Sequence, residues 1–235
     1  MSGYVLSLVA GWVAGAAANW AADILPAWRT EGPARARRQF DPRHDWTLWW
    51  YPFRRGHCAH CGQRRSLRAP LLEIGMMLLF ALEWRVFGRE WPLLLIAWAY
   101  AAFLLLVLVI DVEHRRVLNI MLAPAVVVTI AVSLLPGGLD PLNALLGGAV
   151  GFGLFFAMAI LGRGALGAGD VKLAGLIGLM TGYPGVLAAL FIGIVLGGSA
   201  ALLLILSRRA GRKSYMPYAP YLSLGALVVL LQALK

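Results

Sequence analysis

Residues 91–111 read "WPLLLIAWAYAAFLLLVLVID": twenty residues without a formal charge, closed by an aspartate. At 1.5 Å per residue, such a run is long enough to cross the hydrocarbon core of a bilayer. Its neighbours repeat the pattern. Apolar segments run over about 4–25, 70–88, 91–111, 119–135, 142–162, 171–181, 184–206 and 218–234. The sixth is short, and "TGYPG" (181–185) supplies the tight turn before the seventh. The 235-residue chain is 60% hydrophobic and 14% charged, against about half and a quarter in soluble domains, with a mean hydropathy of +0.75. The expected fold is therefore an all-α integral membrane protein, a bundle of about eight transmembrane helices with a polar loop after the first.

The formal charge of +10 could suggest a nucleic-acid partner, but its distribution excludes that class. Ten arginines lie in the 26–69 loop: Arg29, Arg35, Arg37, Arg38, Arg43, Arg54, Arg55, Arg64, Arg65 and Arg68. Arg115 and Arg116 follow the third span, Arg163 and Lys172 flank the turn after the fifth, and Arg208, Arg209, Arg212 and Lys213 follow the seventh. These loops fall on one side and hold 18 of the 21 basic residues; Arg85, Arg89 and Lys235 are left for the other. The positive-inside rule makes the crowded side cytoplasmic and puts both termini outside. No Lys or Arg precedes Arg29, so residues 1–25 read as a retained first span rather than a secretory signal. The expected domains are that span, the Arg-rich loop 26–69 and a seven-helix membrane domain, 70–235.

Three glycine pairs, "GWVAG" (11–15), "GGAVG" (147–151) and "GIVLG" (193–197), have the four-residue spacing that lets helices approach closely. They read as packing seams and carry no chemistry.

Acids inside apolar spans are costly, and their default reading is functional. Most of the acids, including Asp23, Asp45, Glu73, Glu83, Glu90 and Asp140, are expected in loops or near interfaces, where water accounts for them. Asp111 and Asp170 differ. Each lies at the basic-loop end of a span, on the same side and at similar depth. Two carboxylates brought together do not both ionise easily; one keeps its proton while the other activates a water, which is the division of labour in an aspartyl protease. Gly167 and Gly169, in "GALGAGDVKL" (164–173), clear side chains from beside Asp170 and give room for a substrate backbone. The plainer alternative is that each Asp ends or starts a helix, solvated or paired with Arg115, Arg116 or Lys172. A second functional class, a transporter using the acids as a proton or cation relay, would more often hold them at midplane within internal repeats; no repeat is present.

"GAGDVK" (167–172) resembles the GxGDxK motif of the type IV prepilin peptidases (prepilin leader peptidases), which are membrane aspartyl proteases. "DVEHRRVLN" (111–119) resembles the segment that follows their first catalytic aspartate, with Leu118 where the family usually has proline. "RGHCAHCGQRRSLRAPLLEIG" (55–75) and "MPYAPYLSLGA" (216–226) resemble two further family stretches, in the family's order. The resemblance implies cleavage of the basic leader of type IV prepilins or type II secretion pseudopilins, at the cytoplasmic face of the bacterial inner membrane. It aligns Asp111 and Asp170 with the catalytic pair, makes Gly167 and Gly169 site-shaping, and gives Lys172 an assisting place. Proteolysis then needs no cofactor.

Many members also methylate the new N-terminus with S-adenosylmethionine and carry two CxxC pairs in the first loop, a presumptive zinc site. Here only Cys58 and Cys61 remain, and "RTEGPARARRQF" (29–40) has no cysteine where the first pair belongs. Tetrahedral zinc wants four ligands. His44, His57 or His60 could complete the set, but the last two lie too near the cysteines for an unstrained site, and a disulfide does not suit a reducing compartment. The expectation is zinc held weakly or not at all by Cys58 and Cys61. Methylation is left open.

Overall fold

The computed structural model describes residues 2–30, 45–48, 66–88, 90–135, 138–162, 166–207 and 217–233. Among them the chain forms eight helices: α1 (Ser2–Thr30), α2 (Arg68–Phe87), α3 (Trp91–His114), α4 (Asn119–Ser133), α5 (Pro141–Leu161), α6 (Ala168–Thr181), α7 (Gly185–Leu206) and α8 (Ala219–Ala233). Each expected span is a helix, and the architecture is all-helical. Four helices, α1, α3, α5 and α7, are long and apolar enough to cross a membrane, and α4 and α8 are shorter apolar helices. Large apolar side chains such as Val127, Leu142, Phe191 and Leu203 are exposed, as a lipid-facing surface requires.

Two boundaries differ from the sequence expectation. Helix α1 continues through Pro26 to Thr30, although proline removes one N–H from the ladder and usually ends a helix. Helix α6 begins at Ala168, so Asp170 lies inside its first turn.

The chain divides into two compact units, residues 1–106 and 107–235, and α3 runs from one into the other. In the first unit α1 packs along α2. Gly11 and Gly15 form the seam: a Cβ on either would lie 2.7 Å from backbone atoms of Met76 and Met77, or of Glu73. Trp98 stacks on Phe80 with ring centroids 4.8 Å apart and reaches the Phe80 carbonyl with its indole N–H.

Three acids of this unit correct the expectation that water accounts for them: Asp45, Glu73 and Glu83 are buried. Glu73 is sealed by long-range donors. Its Oε1 accepts the Thr47 N–H at 2.8 Å and the Thr47 hydroxyl at 2.5 Å. Its Oε2 accepts the Trp12 indole at 2.8 Å and the Leu48 N–H at 2.9 Å. The donors lie 25 to 61 residues away in sequence, beyond what local pattern can predict. Glu83 sits on a buried face of α2 with Oε2 unpartnered among the described residues.

In the second unit α6 is the core. It packs against α4, α5, α7 and α8, and from Val171 to Thr181 only Lys172 and Leu179 escape full burial. A helix that is apolar on every side belongs inside a bundle, which is how a 14-residue helix serves here. Its closest partner is α5: a Cβ on Gly178 would stand 2.1 Å from the Gly147 carbonyl oxygen, and one on Gly151 2.4 Å from that of Ala174. The third pair, Gly193 and Gly197, lies against Leu222, Tyr218 and Tyr221 on the α7–α8 seam. All three glycine motifs therefore lie on helix–helix seams.

Gly178→Ala is expected to part the α5–α6 seam and cost about 2 kcal/mol or more of stability. Gly153→Ala, which meets nothing within 4 Å, should cost none. Unfolding in detergent micelles compares them; equal stability of the two variants would contradict the seam.

At the end of the unit away from Asp170, Asp140 caps α5 by accepting the Asn143 N–H at 2.9 Å, with Pro141 at the first helical position. Asn143 in turn accepts the Tyr183 N–H at 2.8 Å, which ties α5 to the α6–α7 turn. That turn needs Gly182, whose φ is +63°.

Candidate active site

The site is assembled from three chain ends in the second unit. The first is the end of α3. Asp111 is buried, with 4% of its surface exposed. Three residues later the helix stops: the Arg115 N–H bonds the Asp111 carbonyl at 2.8 Å, and Arg115 adopts a left-handed φ of 52°. A non-glycine residue in that region costs roughly 1 kcal/mol, which turns the chain sharply just after the acid. The backbone is then irregular until Leu118, the extended residue before α4, at φ −84° and ψ 123°. Proline adopts almost that φ. Leucine in the family's proline position therefore keeps the local backbone course, and its side chain is buried there.

The second end is the start of α6. Gly167 is extended at the N-cap, and the Asp170 N–H bonds the Gly167 carbonyl at 3.0 Å. The Gly167 N–H also faces the Asp170 carboxylate. The acid is thus at the third helical position, where a negative charge favours the positive end of the helix, and this fits a helix that begins before Asp170. The local role of this aspartate as a helix starter is thus real, but its burial exceeds what a cap needs: 6% of Asp170 is exposed. Gly169 allows the two ends to meet, since a Cβ there would lie 2.9 Å from Cβ of Val117.

The third end is the start of α8. The first N–H groups of a helix have no partner within it. The Ala219 N–H is such a group, and it faces the Asp111 carboxylate. Asp111 lies within electrostatic reach of Asp170, and Asp170 within reach of Tyr218. The Tyr218 ring is held by Phe155, with centroids 6.5 Å apart, and by the bare face of Gly197. Two helix N-termini, of α6 and α8, therefore face a pair of buried carboxylates with their positive ends. Even so, Oδ2 of Asp111 is buried and without a hydrogen-bond partner among the described residues. Such an oxygen is poised for a proton or a water.

Of the residues singled out from sequence, the structure brings together Asp111, Asp170, Gly167 and Gly169. Lys172 starts from the same end of α6 but is exposed and bonds Asn119 Oδ1 at 3.0 Å. That bond closes the corner between α4 and α6 which Val117 and Gly169 also close. Cys58 and Cys61, with His44, His57 and His60, lie outside the described residues. Among the described residues no group of three or more His, Cys, Asp or Glu could hold a metal.

Sequence reasoning passed over Tyr218, Ala219 and Asn119. A signal for the first two exists: Pro217 and Pro220 bracket them, proline favours the first turn of a helix, and the charge count sets this helix start on the side of both aspartates.

Residues 98–202 match the type IV leader peptidase family. The prepilin leader peptidase/N-methyltransferase of Bacillus subtilis is 29% identical over 83% of this chain and 78% of its own length. The proteins of that name from Pseudomonas putida and Myxococcus xanthus are 27% and 33% identical, over 75% and 68% of this chain. The matches span 63% and 49% of those two longer relatives. No solved structure matches the chain significantly. Residues 98–202, the part of the chain that matches the type IV leader peptidase family, hold both aspartates.

Proposed function

We propose that this chain is a membrane aspartyl endopeptidase that removes the leader peptide of type IV prepilins or type II secretion pseudopilins. The observation that carries the reading is the pair of buried carboxylates, Asp111 and Asp170, in mutual electrostatic reach at the meeting of three helix ends. The family match and the names of the relatives support the same activity.

In the proposed reaction one carboxylate takes a proton from a water while the water oxygen attacks the scissile carbonyl carbon. The other carboxyl donates its proton to the carbonyl oxygen. The tetrahedral intermediate then collapses, the C–N bond breaks, and a proton passes to the leaving amine. The Ala219 N–H faces Asp111, and the Gly167 N–H faces Asp170. Gly169 lets the start of α6 close against Val117 beside Asp170, and Lys172, through Asn119, pins the same corner.

The cytoplasmic face of a bacterial inner membrane, with both termini outside, is the placement we propose, supported by the one-sided distribution of basic residues. The relatives' shared name extends the proposal to methyl transfer from S-adenosylmethionine to the new N-terminal amine. That second activity, and any zinc on Cys58 and Cys61, would belong to the 26–69 loop, and the hydrolytic steps need neither. Nothing favours the transporter class.

Reconstituted with a type IV prepilin, the full chain should release a product shortened by its leader. Mass spectrometry of the product N-terminus, with S-adenosylmethionine present, also reads any added methyl group. An intact prepilin after prolonged incubation with folded protein would refute the peptidase reading.

A further inference from the structure

Two residues beyond Asp170, roughly 200° around the helix, Lys172 stands at the end of a groove that has no part in the proteolytic chemistry. The groove lies between α4 and α5 with α6 as its floor, and its volume is about 530 Å³. Leu122, Val126 and Ile130 of α4, Leu145 and Phe152 of α5, and Leu179 of α6 line it. Asn119 and Lys172, joined by their 3.0 Å hydrogen bond, are its polar lining, and both sit at the same end. An ammonium has three donors, and the bond to Asn119 uses one. Arg115 and Arg116, both exposed, precede Asn119 by four and three residues and add positive charge at that end.

We propose that this groove binds an anionic phospholipid, with one acyl chain along the apolar floor and the phosphate on Lys172. An apolar slot with a single cationic mouth is complementary to an amphiphile with an anionic head, and basic pockets between membrane helices bind such headgroups. Among the described residues no Asp or Glu lines the groove to pair with the amine of a zwitterionic lipid.

The helix rise from Asn119 to Ile130 is roughly 16 Å, a length along which an extended acyl chain can lie with its head at the Asn119 and Lys172 end. The inference rests on the groove alone and does not depend on the peptidase reading.

The test is native mass spectrometry of the full chain released from nanodiscs of equal dioleoyl-phosphatidylglycerol and dioleoyl-phosphatidylcholine. The wild type should retain one phosphatidylglycerol, in preference to phosphatidylcholine by about fivefold. Lys172→Met, which keeps the stem and removes the charge, should abolish the preference, and Lys172→Arg should restore it. Ala149→Trp, on the exposed rim of the groove, should displace the lipid while leaving the unfolding temperature near wild type. Glycerol phosphate, which has the head without the chain, should not compete. Equal retention of the two lipids by wild type, unchanged retention in both Lys172→Met and Ala149→Trp, or competition by glycerol phosphate would each overturn the proposal.

Discussion

Asp111→Asn and Asp170→Asn are each expected to lower prepilin cleavage by about 10³-fold or more, the range lost when a positioned acid or base is removed. Asparagine separates the chemical role from the structural one. Its amide oxygen can still face the Ala219 N–H at position 111 and the Gly167 N–H at position 170, as the carboxylates do now. It is also among the best residues near helix N-termini. What it loses is the ability to take or give a proton. If the aspartates merely began or ended helices, the asparagine variants would fold and cleave nearly as wild type, apart from a charge–dipole contribution of about 0.3–1 kcal/mol to stability. Cleavage rates with purified prepilin, beside unfolding temperatures for both variants, decide between the roles.

The second large effect falls far from the chemistry, on stability. Glu73→Ala is expected to cost about 3–5 kcal/mol, because its carboxylate is the acceptor for four buried or part-buried donors. Removing it strands the Trp12 indole and the Thr47 and Leu48 amides in a site whose central residue is 0% exposed. Glu73→Gln keeps the volume but replaces one acceptor oxygen with an NH₂ group, so it should cost less than alanine and more than nothing. Unfolding of both variants in detergent micelles checks the order. A Glu73→Ala variant as stable as wild type would show that residues 45–48 are not held by this carboxylate.

How much of this was legible beforehand varied with the range of the interaction. The spans were legible because lipid imposes a length and a composition on any helix that crosses it, and even α6 appeared as an apolar run bounded by "TGYPG". The sidedness of Asp111 and Asp170 followed from charge in the loops alone. Their approach did not: it depends on Gly169 meeting Val117 and on α8 turning an N–H toward Asp111, contacts between segments dozens of residues apart. The burial of Glu73 was missed for the same reason, since its donors come from positions 12, 47 and 48. Lys172 shows the opposite limit. Its place in the motif suggested service to the acid two positions before it, but helix geometry turns those two side chains to different faces, and it bonds Asn119 instead.

The central claim is that Asp111 and Asp170 work as one unit on one water. Cleavage kinetics of Asp111→Asn, Asp170→Asn and the double variant, measured with the same prepilin, test it most directly. Members of a single catalytic unit are grossly non-additive. The double variant should therefore be no slower than the slower single variant, within a few-fold. Losses that multiply in the double variant, or a single variant that keeps near wild-type cleavage, would contradict it.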